Sequence, residues 1–159
     1  MAERLPNDTI YVEGHPYLTR YYLNGRPWRK LGEGRSIRLH HFHTSDQGRE
    51  LHNHPFEGWS LVLSGGYVEE RRAPMASVLV PVNGSDECYE RHYFRQTAFR
   101  VLTPGSVNRI GLDVFHRAEL LDPVNGCWTL FVTGKRVADW GFWNKKTGHY
   151  TPHAEYVHE

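Results

Sequence analysis

Two histidines two residues apart, His52 and His54, stand in the run Leu51-His52-Asn53-His54-Pro55, and a third, His116, lies far downstream. On a β-strand, residues i and i+2 point to the same side, so a single strand presents both imidazoles together without a loop. A third imidazole from another strand completes a facial donor set that leaves positions open for water, oxygen or substrate. These residue types at this spacing offer metal-assisted chemistry on a small molecule. The bland readings are a pair of histidines on a solvated strand and, for His116 among Val114, Ala118 and Leu120, a satisfied core histidine. A buried neutral imidazole needs a partner, and a metal supplies one.

Further candidates surround this set. Glu57, in the turn that follows, reads as a solvent-facing carboxylate. In the run Ser36–His43 the alternation puts Ile37, Leu39, His41 and His43 on one face, which reads as inward, so His41 is a candidate acid–base group or partner to a ligand while His40 faces away. Trp59 and Trp128 are candidate pocket walls, and Tyr67 and Arg100 candidate anchors for an anionic substrate. Cys88 has no spacing that ties it to a histidine and reads as an inert thiol.

The elements that must position these groups are short strands. Residues 1–14 read as a polar arm with an edge strand at Thr9–Val12, and Tyr17–Leu23 as a strand closed by an Asn24-Gly25 turn. Strands follow at Ser36–His43, around His52 and His54, and at Trp59–Leu63. Gly65-Gly66 marks a bulge or turn, and Tyr67–Arg72 reads as an exposed continuation. Residues 73–97 read as an inserted loop or lid, with Ala76–Val82 a candidate strand within it. Order resumes at Phe99–Leu102, Ser106–Ile110, Asp113–Leu121 and Cys127–Val132, and residues 139–159 form an aromatic, then polar, tail that packs across the barrel or contacts another copy. No helical periodicity is sustained. The expected fold is one all-β domain over residues 1–159, an antiparallel barrel or jelly roll.

Composition removes several function classes. The 159 residues carry a formal net charge of +1, 39% hydrophobic and 23% charged residues, and eleven histidines. That near-neutral balance gives no electrostatic case for nucleic acid or an anionic membrane. No apolar run approaches the ~18 residues of a membrane span, and the first residues lack the basic and apolar pattern of a signal peptide. Two cysteines, Cys88 and Cys127, make no disulfide framework, so a reducing, cytoplasmic setting is expected. The Cys-x-x-Cys of zinc deaminases and phosphate-binding glycine loops are missing, and the glycine frame around His52-Asn53-His54 is not that of the nucleases whose name those letters spell.

That frame resembles the cupin superfamily. The first cupin motif runs Gly, five residues, His-x-His, three or four residues, Glu, six residues, Gly. Here the positions are Asp46, His52-Asn53-His54, Gly58 or Trp59 in place of the Glu, and Gly65 or Gly66. The second motif runs Gly, five residues, Pro-x-Gly, two residues, His, three residues, Asn, and Gly105, Gly111, Asp113, His116 and Leu120 fall on it. The resemblance covers residues 46–120, about half the chain. It implies the double-stranded β-helix jelly roll and a metal held by His52, His54 and His116, with Glu57, just ahead of the motif's Glu position, as a candidate fourth ligand. The missing Glu makes the ligand set similar to that of thiol dioxygenases, cupins whose iron is bound by three histidines and no carboxylate.

The resemblance therefore implies a non-haem Fe(II) dioxygenase-type oxidoreductase acting on a small organic substrate. Two alternatives stand beside it: a non-redox isomerase or lyase using Zn, Ni or Mn as Lewis acid, and a non-catalytic cupin that binds a small molecule. A homodimer is an expectation of the family.

Overall fold

The computed structural model describes residues 7–24, 34–46, 48, 50–73, 76–81, 88–93 and 97–156, with the backbone alone for 76–81 and 88–93. Most of this chain is strand. The first seven are β1 (Asn7–Val12), β2 (His15–Tyr22), β3 (Ser36–Phe42), β4 (Leu51–His52), β5 (Gly58–Ser64), β6 (Tyr67–Arg72) and β7 (Ala76–Pro81). The second seven are β8 (Cys88–Tyr93), β9 (Thr97–Leu102), β10 (Val107–Ile110), β11 (His116–Leu120), β12 (Cys127–Thr133), β13 (Gly141–Trp143) and β14 (Tyr150–Pro152).

Two six-stranded sheets face each other, in the orders β1-β2-β3-β12-β5-β10 and β14-β13-β4-β11-β6-β9, and every pairing is antiparallel. From β3 to β6 and from β9 to β13 successive strands alternate between the sheets, which is the all-β jelly roll that the turn-punctuated sequence implies. The turns are chemically specified. Before β12, the Asp122 carboxylate accepts bonds from the Val124 and Asn125 amides at 2.9 and 3.0 Å, and Gly126 then takes a φ of +74°. Gly65, also at +74°, lies so close that a Cβ there would stand 2.3 Å from the Gly126 carbonyl oxygen. Only glycine tolerates both that φ and that approach.

An apolar plug of Val62, Tyr67, Leu102, Ala118, Leu120 and Cys127, joined by Phe42, closes the turn end of the barrel. Toward the other end the interior becomes polar. The buried residues of the first sheet include Ser36, Arg38, His40, Ser60, Asn108, Thr129 and Thr133, whereas Ile37, Trp59, Leu63, Val107 and Val132 stand exposed on its outer face. This corrects the expected facing of Ser36–His43. The apolar set Ile37 and Leu39 points out with His41, and the polar set Ser36, Arg38 and His40 points in. Alternation has a period of two whichever face is buried, and here the side toward the site carries the polar groups.

Three other expectations change. The 73–97 segment contains a two-stranded antiparallel sheet, β7 with β8, while residues 74–75, 82–87 and 94–96, like Gly25 of the expected turn, lie outside the described residues. The aromatic tail is a member of the second sheet: Phe142 pairs with His52 and Trp143 with Leu51. Tyr67–Arg72 is an interior strand of that sheet, between β11 and β9. No helix among the described residues is long and apolar enough to cross a membrane.

Candidate metal centre

β4 is only two residues long, so His52 ends the strand and His54 follows it in extended chain. Three anchors hold this short piece. The Leu51 side chain is fully buried on the far side. Asn53 donates to the Leu112 carbonyl at 3.2 Å and accepts from the Gly141 amide at 2.8 Å. The Pro55 carbonyl accepts from the amides of Val137 and Ala138 at 2.8 and 3.2 Å. His116 opens β11 directly opposite both His52 on β4 and Arg71 on β6, so one row across the sheet carries two of the three imidazoles.

The three rings form a near-equilateral triangle, with centroid separations of 5.1 Å for His52–His54, 4.9 Å for His52–His116 and 5.1 Å for His54–His116. One nitrogen from each lies within 4.8 Å of the others. The Nε2 atoms of His54 and His116 approach to 2.9 Å. Two nitrogens bound at about 2.0–2.1 Å to one transition-metal ion stand roughly 2.9–3.4 Å apart, so this donor set fits a shared divalent ion.

Protonation supports the same fit. Burial lowers the His52 pKa to about 4; the charge of Asp46, whose carboxylate is 3.8 Å from His52 Nδ1, opposes that shift, and the nearby His116 adds to it. Burial, reinforced by His52 and His116, drives the His54 pKa well below its ordinary value. Both are therefore neutral donors at pH 7.

Behind His116 lies a group that sequence reasoning missed. Glu69, fully buried, receives a bond from His116 Nδ1 at 2.6 Å. That bond leaves Nε2 as the free donor atom toward the triangle, the carboxylate–imidazole arrangement that orients metal ligands. Glu69 is held in turn by Arg71 and Arg100, each at 2.7 Å, and by the Asn108 amide at 2.8 Å. Both guanidinium groups also donate to the Asn108 side-chain oxygen, and the Tyr67 hydroxyl accepts from the Asn108 amide at 3.2 Å. Burial alone raises a carboxyl pKa. Here the bond and charge of His116, with the bonds from Arg71 and Asn108, outweigh it and hold Glu69 far below the ordinary carboxylate range. Glu69-x-Arg71 looked like part of a solvated charge run; its mixed signs were the available signal. Glu70 is buried as well, and bonds Lys145 at 2.7 Å.

The remaining candidates divide. Tyr67 and Arg100 belong to the interior network. Glu57 stands exposed on the loop before β5, beside an outer groove with Trp59 and Arg109, and does not join the triangle. Trp59 is 53% exposed on the outer face. Trp128 lies on that same face, stacked between Tyr21 and His41 with centroids 5.9 and 4.2 Å away. His41 thus faces away from the site, and its neighbour His40 is the buried one. Asp46, which stands where the cupin motif has a glycine, clips the loop to β11: its carboxylate accepts from the Ala118 amide at 2.7 Å and from the Tyr17 hydroxyl.

No family model and no curated protein matches the chain. Solved structures do. The crystal structure of Fe(II) HppE aligns with a TM-score of 0.52 and 13% identity, over 84% of this chain and 58% of that one. HppE with the alternative substrate (S)-1-HPP gives 0.52 and 11% over the same shares. KdgF from Halomonas sp. gives 0.46 and 16%, over 81% of this chain and 89% of that one. This chain therefore spans a little over half the length of HppE, and at such identity the likeness is one of fold: a jelly roll, here carrying a three-histidine cluster.

Proposed function

We propose that this chain is a non-haem Fe(II) oxidoreductase of the dioxygenase type, acting on a small anionic organic substrate. One observation carries the reading: three imidazoles converge with no carboxylate joining them among the described residues, and the buried acid Glu69 is engaged by His116. HppE, a structural neighbour, is an Fe(II) protein. His52, His54 and His116 would hold the ion. When bound, Fe(II) supplies the redox chemistry that joins dioxygen to an organic donor.

The chain's own groups do the rest. Three uncharged ligands leave the ion's double positive charge uncompensated, which favours a thiolate, carboxylate or enolate. Glu69 orients His116 and secures its tautomer. Phe56, stacked on His54 at 5.5 Å, and Phe131, 6.3 Å from the same ring, give that imidazole an apolar flank. The buried, free thiol of Cys127 fits a reducing, cytoplasmic setting.

A homodimer belongs to this reading. The outer face of β2, β3, β12, β5 and β10 spans roughly 24 by 24 Å, which side-chain relief raises toward the ~800 Å² per partner of a standard interface. Its centre is apolar and nearly uncharged, so two copies meet without like-charge repulsion.

The first test is the metal content of untagged protein purified without added metal, for wild type and His116→Ala. Near-stoichiometric iron, lost in the variant, is the expected result. Zinc or nickel lost in the variant would move the chemistry to an isomerase or lyase. No metal in wild type even after reconstitution would sink the proposal.

A further inference from the structure

Two buried polar atoms beside the histidine triangle find no partner among the described residues. His40 Nε2 and Thr129 Oγ1 are both shielded from solvent and bond to none of these residues. They are neighbours: His40 on β3 and Thr129 on β12 stand directly opposite in the register, on the inward face. Opposed side chains in an antiparallel pair have Cβ atoms about 4.5–5.5 Å apart, so the two orphans belong to one spot. A buried polar atom left unbonded is costly, and a folded chain retains such a pair where something else completes it.

The surroundings say what that is. The His40 ring packs 4.8 Å from Phe131, whose ring is 6.3 Å from His54, so the orphaned pair lies about one phenyl ring from the metal ligands. Two residues before His40 on the same face, the Arg38 guanidinium lies 5.6 Å over Phe56, which stacks on His54. Arg20, opposite His40 on β2, is already paired with Asp8 through two bonds of 2.8 Å. Arg38, which also donates to the Ser36 hydroxyl at 2.6 Å, sets a positive charge beside His40 on the same face. His40 itself is uncharged, its pKa driven well below normal by burial and then by Arg38 and Arg20.

We propose that His40 and Thr129, with Arg38 beside them, form the subsite for the acidic head of the substrate, a carboxylate or an isosteric oxyanion, while the histidine triangle receives the other end. Thr129 donates its hydroxyl proton and His40, as the Nε2–H tautomer, its ring proton to the head's oxygens. This rests on the metalloenzyme reading above and names the substrate class: a short-chain organic acid with a second, metal-seeking group.

The test uses propionate as the probe and propionamide as its uncharged counterpart, with affinities measured by calorimetry on the protein as purified. The variants are Thr129→Val, Thr129→Ser and His40→Phe, with His116→Ala as the control for binding at the metal. Propionate is expected to bind wild type at least tenfold more tightly than either Thr129→Val or His40→Phe, with affinity restored by Thr129→Ser and metal content unchanged in all three.

A second readout separates a ligand subsite from ordinary packing. Ligand-free Thr129→Val and His40→Phe should melt above wild type, because each removes an unbonded buried polar atom. Equal propionate affinity in wild type and both variants, or no binding of propionate to wild type, overturns the subsite. Two variants that melt lower with affinity unchanged overturn it too, showing a structural pair. Retained propionate binding in metal-free His116→Ala, lost again when Thr129→Val is added, supports the subsite whatever the metal assay decides.

Discussion

Glu69 is the residue on which the centre turns, because a fully buried carboxylate here connects a candidate ligand to two arginines. Glu69→Gln keeps the shape and removes the charge. It should lower metal affinity about 10- to 100-fold, as loss of a ligand's orienting partner does, measured by competition with a chromophoric chelator. Glu69→Ala should also cost folding stability, about 1–3 kcal/mol in urea unfolding, because it leaves the buried Asn108 amide and His116 ring without their acceptor.

The buried imidazoles also set a pH dependence. His52 has a pKa of about 4 in the folded chain against about 6.5 unfolded, so the unfolded state takes up the proton first. Its contribution is complete above pH 6.5 and is lost as pH falls toward 4. On the order of 2 kcal/mol from His52 alone should be gone by pH 5, and His54 and His40 act in the same direction. Urea melts of metal-free protein at pH 7.5 and 5 check this; equal stability at the two values would show that the imidazoles are not held neutral by burial.

At the scale of elements, β4 is the weak point and Asn53 its fastener. A two-residue strand cannot hold two ligands through its own ladder, so the bonds of Asn53 to Leu112 and Gly141 carry the task. Asn53→Ala should destabilise the fold by about 2 kcal/mol and weaken metal binding, since two backbone groups lose partners where the ligands sit. Asn53→Asp should keep the bond from the Gly141 amide and lose the one to Leu112. At the opposite end, Gly65→Ala meets both a left-handed φ and a backbone oxygen 2.3 Å away. A loss of about 2–4 kcal/mol is expected there, seen as a lowered melting temperature with metal binding per folded molecule unchanged.

At the scale of the molecule, the first sheet sets Arg38, His40, Asn108 and Thr129 inward beside Val62 and Phe131, while its outer face is largely apolar. Trp59, Val107, Leu63, Val132 and Ile37 are 39–57% exposed on one surface, an apolar grouping of the kind that marks contact with another protein. Sedimentation should therefore find a dimer, and Trp59→Glu with Val132→Glu should give a monomer that retains its metal. A monomeric wild type at micromolar concentration would remove the homodimer from the reading.

How much was legible follows from the range of each interaction. The strands, their turns and the jelly roll are written locally, in β-branched and aromatic runs broken by Gly, Asn and Asp, and the three histidines stand at spacings that survive any reading of the rest. The side of each strand that faces inward was not legible. Alternation through Ile37, Leu39 and His41 specifies two faces equally well, and only the packed barrel shows that the apolar one looks out. Nor was the role of Glu69, whose partners Arg100, Asn108 and His116 lie 31, 39 and 47 residues away and meet it only across the assembled sheets. The amino-acid sequence by itself determined the strands of the barrel and the spacing of its three histidines. The tertiary structure decided which polar groups surround them, because burial and charge pairing depend on neighbours in space that no local pattern names.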